Sequence, residues 1–169
     1  LLTLGQTIAV SSNIGISKFA RNISDAEQYH TLRDFGFGTA PATGFPGEAR
    51  GLLRQPHRNP NALYTQSSWG QGYEFMASSL QIAAAYGAIA SGGTYVAPTL
   101  VREVRDRQAG HTTWRHQPDT LRQVLRPEVA HRLMEYLQLV TDSGGTGTRA
   151  QLDLMDVLGK TGTAKLLDQ

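Results

Sequence analysis

From Leu1 to Ala20 the chain is apolar with small residues interspersed, including Ile8, Ala9, Val10, Ile14, Ile16 and Phe19. The run is interrupted at Ser11-Ser12-Asn13, which predicts a short helix, a turn and a second helix. Ser24-Asp25-Ala26-Glu27 has the spacing of a capping box, in which hydroxyl and carboxylate each satisfy the other residue's backbone N–H. It predicts a helix running to about Phe35 and stopped by Gly36. Between Gly36 and Gly72 no periodicity survives, and four of the seven Pro fall there. That stretch reads as a long irregular surface excursion, of a length that is usually functional or mobile. Glu74 to Ala90 is apolar nearly all round, through Leu80, Ile82, Ala83, Ala84, Tyr86 and Ile89, and predicts a buried helix ended by Gly92-Gly93. Thr94–Val96 and Leu100–Asp106 read as strands, and Gln108-Ala109-Gly110 turns the second toward another near His111–Trp114. Pro127 to Thr141 carries the clearest helical signal: Pro127 suits a first turn, and Val129, Leu133, Tyr136, Leu137 and Val140 share a face. Gly144-Gly145 stops it. Leu152 to Leu158 reads as a strand leading into Gly159-Lys160-Thr161-Gly162-Thr163-Ala164. There is no internal repeat and no low-complexity tract.

Composition narrows the classes. At 169 residues and 40% apolar, the chain has the length of one ordinary domain and the makeup of a globular one. The absence of Cys excludes disulfides, thiolate zinc sites and a cysteine nucleophile, and decides no compartment. No run of about 18 apolar residues exists to span a membrane. A net charge of +2 argues against nucleic-acid binding by charge. The five His are scattered, and no pair has a helical ligand spacing with a carboxylate partner, so no metal and no cofactor are expected. Arg102-Glu103-Arg105-Asp106-Arg107 reads as a solvated strand face. Glu48, in its Gly/Pro-rich loop, is expected to bond loop backbone, and Trp69 and Tyr73 to pack loops. The chain starts at Leu1 without Met or a leader-like segment, so it is expected to be a piece of a longer protein.

Two short motifs carry the candidate chemistry: Ser11-Ser12-Asn13, and Lys160-Thr161-Gly162-Thr163 at a predicted strand end. Each alone has an ordinary reading, a helix cap or turn for the first and an edge strand with a turn glycine for the second. Together, Ser-x-Asn followed far downstream by Lys-Thr-Gly matches two of the three motifs of penicillin-recognising serine enzymes. Phe45-Pro46-Gly47-Glu48-Ala49-Arg50-Gly51, Ser68-Trp69-Gly70-Gln71-Gly72, Leu80-Gln81-Ile82-Ala83-Ala84-Ala85-Tyr86 and Gly144-Gly145-Thr146-Gly147 stand in the matching order. On these blocks, nearly the whole chain resembles class B penicillin-binding proteins, the monofunctional peptidoglycan D,D-transpeptidases.

The resemblance implies an α+β fold: part of a penicillin-binding-protein/β-lactamase-like transpeptidase domain, helices packed on an antiparallel sheet. One partial domain over 1–169 would hold Ser-x-Asn at 11–13, a helical and loop region at 14–150 and the Lys-Thr-Gly strand at about 152–165. Ser11 would stand beside the nucleophile and relay a proton to the leaving amine. Asn13 would bond the substrate's peptide carbonyl and orient lysine chemistry. Lys160 would lie near Ser11 and bring positive charge to the cleft. Gly162 would let substrate lie against the backbone, the Thr163 N–H would serve the oxyanion, and the Thr161 and Thr163 hydroxyls would engage a terminal carboxylate. Implied partners are the D-Ala-D-Ala stem peptide of peptidoglycan, β-lactam antibiotics and, through the parent, other cell-wall synthesis proteins. Neither nucleic acid nor membrane contact is implied for this segment. The parent would be anchored by an N-terminal helix, with this domain on the extracytoplasmic face of the cytoplasmic membrane. Ser-Ser-Asn and the Gly-Gln-Gly block favour a transpeptidase over a D,D-carboxypeptidase or β-lactamase-like hydrolase; a non-catalytic β-lactam or cell-wall sensor or scaffold is the alternative of another class.

Two departures stand out. The family's nucleophile lies in Ser-x-x-Lys, but Gly15, Val157 and Gly162 stand three residues before Lys18, Lys160 and Lys165. The chain is therefore expected to be truncated, inactive alone and dependent on the rest of its domain for folding. Ala77-Ser78-Ser79 replaces the family's usual Thr-Pro before the Leu-Gln helix, with Ser78 or Ser79 expected to cap it.

Overall fold

The computed structural model describes residues 1–56 and 75–162. Along them run α1 (Leu4–Ala9), α2 (Asn13–Ala20), α3 (Asp25–Asp34), β1 (Leu52–Leu53), β2 (Phe75–Met76), α4 (Ser79–Ala90), β3 (Thr94–Val96), β4 (Glu103–Arg105), β5 (Thr112–Arg115), β6 (Thr120–Gln123), α5 (Pro127–Thr141) and a 3-10 turn at Thr148–Ala150. The architecture is α+β. Its strands pair antiparallel in twos: β1 with β2, β3 with β6, and β4 with β5.

The helices begin where local chemistry satisfies their free N–H groups. Thr3 with Gln6, Ser24 with Glu27 and Ser78 with Gln81 each form a reciprocal capping box. Pro127 opens α5, where its missing N–H costs nothing. Three helices end by one device. The C-terminal residue is followed by a residue in the left-handed region, and two backbone bonds fold back onto the last turn. In α3 the left-handed residue is Gly36 (φ 88°), with Gly36 N→Arg33 O at 3.0 Å and Phe37 N→Leu32 O at 3.1 Å. In α4 it is Gly92 (φ 67°), with Gly92 N→Ile89 O at 3.3 Å and Gly93 N→Ala88 O at 2.8 Å. In α1 it is Ser11, at φ 53°.

The core lies where α1 and α4 pack on α5 and β3 packs on α4, and it buries Ala9, Ala85, Ala88, Tyr95, Ala130, Leu137 and Val140. Small residues allow the close approach: a Cβ at Gly5 would stand 3.0 Å from the Tyr136 ring. Arg122 joins layers. Its guanidinium lies 4.6 Å from the Tyr95 ring centre, and its Nε donates to the Asp34 carbonyl at the end of α3. Gln81 is fully buried, and its amide donates to the carbonyls of Gly36, Thr39 and Arg50, fastening the irregular 36–51 stretch to α4. Glu48 holds that stretch from within, accepting from Ala42 N, Phe45 N and the Thr43 hydroxyl, as expected for a loop-bonding carboxylate. Among the described residues no helix is long and apolar enough to cross a membrane.

Three expectations change, and one strand was not expected. Residues 152–158 do not form a strand: Leu152 and Met155 make one bridge about a tight turn, and residues 156–162 carry no strand. A strand exists only by pairing, and among the described residues none lies alongside this segment. The helix expected from Glu74 begins at Ser79, Phe75–Met76 being extended, and Glu74 lies outside the described residues. That helix is not buried all round; β3 and α5 cover one face, leaving Ile82 and Tyr86 exposed. Finally, β6 carries no alternating apolar pattern, with Leu121 between Thr120 and Arg122, and it pairs with β3 across an intervening hairpin. The expected blocks at Ser68–Gly72, with Trp69 and Tyr73, also lie outside the described residues.

Candidate functional site

Ser11 occupies the left-handed position closing α1: its N–H bonds Ile8 O at 3.1 Å, and the Ser12 N–H bonds Thr7 O at 3.0 Å. Ser12 then becomes the N-cap of α2, its hydroxyl accepting from Gly15 N at 3.1 Å. One helix therefore ends and the next begins within three residues. Ser11 projects from the joint, and Asn13 is the first residue of α2.

Lys160 arrives from the far end of the chain. The segment before it is fixed to α5: the Thr141 hydroxyl donates to Val157 O at 2.5 Å, and Gly159 N donates to Leu137 O at 3.3 Å. These bonds deliver Lys160 Nζ to 2.8 Å from Ser11 Oγ, across 149 residues of sequence. Nζ also donates to Thr161 O at 2.9 Å and Thr161 Oγ1 at 3.3 Å. These partners are neutral oxygens, and partial burial holds the ammonium below the ordinary lysine pKa.

Thr146 completes the cluster. Its backbone N–H and its hydroxyl both donate to Ala9 O, at 3.1 and 3.2 Å, and its Oγ1 stands 2.8 Å from Thr161 Oγ1. Either hydroxyl of the Thr146–Thr161 pair can supply the proton of their bond. The chain of bonds runs from Lys160 through Thr161 and Thr146 to the last residue of α1.

Of the residues singled out from sequence, Ser11, Lys160 and Thr161 meet in space. Asn13 lies one residue beyond the joint, and among the described residues it is not a hydrogen-bond partner of Lys160 Nζ. Gly162 is exposed, and a Cβ there would meet nothing within 4 Å among the described residues. Thr163 lies outside the described residues. Thr146 was not among the candidate site residues; its signal was its place in the Gly-Gly-Thr-Gly block. No group of His, Asp and Glu able to hold a metal occurs among the described residues.

The chain as a whole has counterparts among known proteins. The family model of the penicillin-binding protein transpeptidase domain matches residues 1–169. The chain belongs to this family. A curated relative, a probable peptidoglycan D,D-transpeptidase, PenA of Neisseria flavescens, is 31% identical over 93% of this chain and 36% of its own length. A solved structure described as a peptidoglycan glycosyltransferase from Burkholderia ambifaria superposes with a TM-score of 0.79 at 34% identity, covering 96% of this chain and 48% of that one. Penicillin-binding protein 3 of Mycobacterium tuberculosis, solved with aztreonam, superposes at 0.71 with 25% identity over 89% of this chain and 34% of its own. The chain spans a quarter to a third of the length of the curated relatives it matches. It is a portion of a class B penicillin-binding protein transpeptidase domain.

Proposed function

We propose that the protein containing this chain is a serine D,D-transpeptidase of peptidoglycan. It would attack the D-Ala-D-Ala terminus of a stem peptide, forming an acyl-enzyme with release of the terminal D-Ala, and pass the acyl group to an amine of a neighbouring stem peptide. The contact of Lys160 Nζ with Ser11 Oγ carries this reading. A hydroxyl beside a partly desolvated amine is suited to hand a proton between a nucleophile and a leaving amine. The nucleophile itself would be the serine of a Ser-x-x-Lys motif, which none of the three Lys here supplies, so this chain alone is expected to be inactive. Asn13 would bond the substrate's peptide carbonyl. Thr161 and Thr163 would receive its terminal carboxylate, with the extended peptide lying along open Gly162. β-Lactams would acylate the same nucleophile, and the domain would work on the extracytoplasmic face of the membrane.

The test is labelling of the full-length protein with a fluorescent penicillin, followed by reaction of a D-Ala-D-Ala peptide with an acceptor amine. Wild type should label and form the cross-linked amide, while Lys160→Ala and Ser11→Ala should label at least about tenfold more slowly. Hydrolysed peptide without cross-link would replace the transpeptidase with a hydrolase. Absence of labelling in wild type would overturn the reading.

A further inference from the structure

The middle residue of Ser11-Ser12-Asn13 has no part in the chemistry proposed above, yet the geometry gives it a task. Ser12 belongs to two helices at once. Its N–H closes α1 on Thr7 O at 3.0 Å, its carbonyl accepts from Ile16 N at 2.9 Å, and its hydroxyl caps α2 through Gly15 N at 3.1 Å. The residues that would act on substrate, Ser11 and Asn13, flank it.

Ser11 makes this joint demanding. The left-handed position that closes α3 and α4 is filled by Gly36 and Gly92, the residue type that pays no steric cost there. In α1 a serine fills it at φ 53°, with its Cβ crowded, and only this conformation is observed to bring its hydroxyl to Lys160. A residue in a sparsely populated region stays there when its surroundings over-determine it. Here those surroundings are the Ser11 and Ser12 backbone bonds into α1, the Ser12 cap on α2, and the close seat of α2 on α1. In that seat a Cβ at Gly15 would stand 2.5 Å from Thr7 Cγ2 and 3.2 Å from Ser12 Oγ. Removing the cap frees the first turn of α2 and loosens the strained residue before it.

We infer that Ser12 is a positioning residue: by capping α2 while closing α1, it holds Ser11 in its left-handed conformation with the hydroxyl directed at Lys160. The inference rests on the function proposed above only for its catalytic consequence; the geometric claim stands separately.

The experiment compares Ser12→Ala, which cannot cap, with Ser12→Thr, which can, in the full-length protein. Two readouts are taken well below the melting temperature: the second-order rate of acylation by fluorescent penicillin, and the rate of Lys160 acetylation by acetic anhydride, followed by mass spectrometry. Ser12→Ala should acylate about tenfold more slowly, the scale of a misplaced catalytic group. Its Lys160 should acetylate at a rate at least twofold different from wild type. Ser12→Thr should restore both to within about twofold of wild type. A Ser12→Ala protein that melts earlier yet matches wild type in both rates would show a structural cap only and overturn the inference. If wild type fails to label, the proposed activity falls, and the Lys160 acetylation rates still decide the positioning claim. Equal acetylation rates in wild type and Ser12→Ala would then overturn it.

Discussion

Two residues near the helix joint each carry a stability cost, of different kinds. Thr7 is fully buried, and its hydroxyl has no partner among the described residues, whereas its carbonyl closes α1. A buried polar group without a partner carries a desolvation cost that an isosteric apolar group removes. Thr7→Val should therefore raise the unfolding free energy of the full-length protein by about 1 kcal/mol, read by urea denaturation. Ser11 carries a cost of another kind, a side chain in the left-handed region. Ser11→Gly should leave stability unchanged or raise it by up to about 1 kcal/mol. It should also abolish the Lys160 contact and slow penicillin labelling. Ser11→Ala should slow labelling equally without the gain in stability. If both variants label at the wild-type rate, the Ser11 hydroxyl has no role in acyl transfer.

At the scale of elements, the irregular stretch after α3 owes its shape to single side chains. Glu48 gathers Thr43, Ala42 and Phe45, and the Thr43 hydroxyl, its leading cause, holds the carboxyl below the ordinary glutamate pKa. A carboxyl with a lowered folded pKa contributes stability above its unfolded pKa, and that contribution disappears as pH falls through the folded value. The loop should therefore stay ordered at neutral pH and loosen only below the ordinary carboxylate range. A carbon-13 NMR titration of the Glu48 carboxyl should give a midpoint below that of a free glutamate; an equal or higher midpoint would refute the clasp. Glu27 is lowered in the same direction by its Ser24 capping partner. The capping boxes, the Gly36 and Gly92 closures and Pro127 are visible in sequence because each works within four or five residues of backbone. The helix limits at Ser24–Phe35 and Pro127–Thr141 were therefore legible. The hairpin β4–β5 was nearly so, since Asp106 turns the chain through its own side chain onto Gln108 and Ala109 N–H groups.

Across the whole molecule, pairings are long-range and apolar surface is unevenly covered. Among the described residues strands occur only in pairs, and Leu152, Leu154 and Met155 stand exposed before the Lys160 segment. Among the described residues that segment is tied by few bonds, to Thr141, Leu137, Ser11 and Thr146. Few buried contacts predict low local stability. Hydrogen exchange on the full-length protein should show amides 152–158 exchanging at least about tenfold faster than those of Ala130–Val140 in α5. Equal protection would mean that the segment is held by contacts beyond those described.

The sequence alone determined what local bonds enforce: the Ser24 and Ser78 caps, the Gly36 and Gly92 closures, Pro127 at the start of α5, the backbone bonding of Glu48 and, through motif order, the family. Tertiary structure alone decided which distant groups meet. The Ser11–Lys160 contact was anticipated only through resemblance, since 149 residues separate the two and no periodicity encodes their distance. Thr146 joined the site because α5 and its following loop pack on α1, and β6 found β3 because burial of Tyr95 and the Arg122 contact favour that pairing. The expected strand at 152–158 failed for the same reason. A strand's conformation is fixed by a neighbour's hydrogen bonds, and no pattern within seven residues supplies that neighbour.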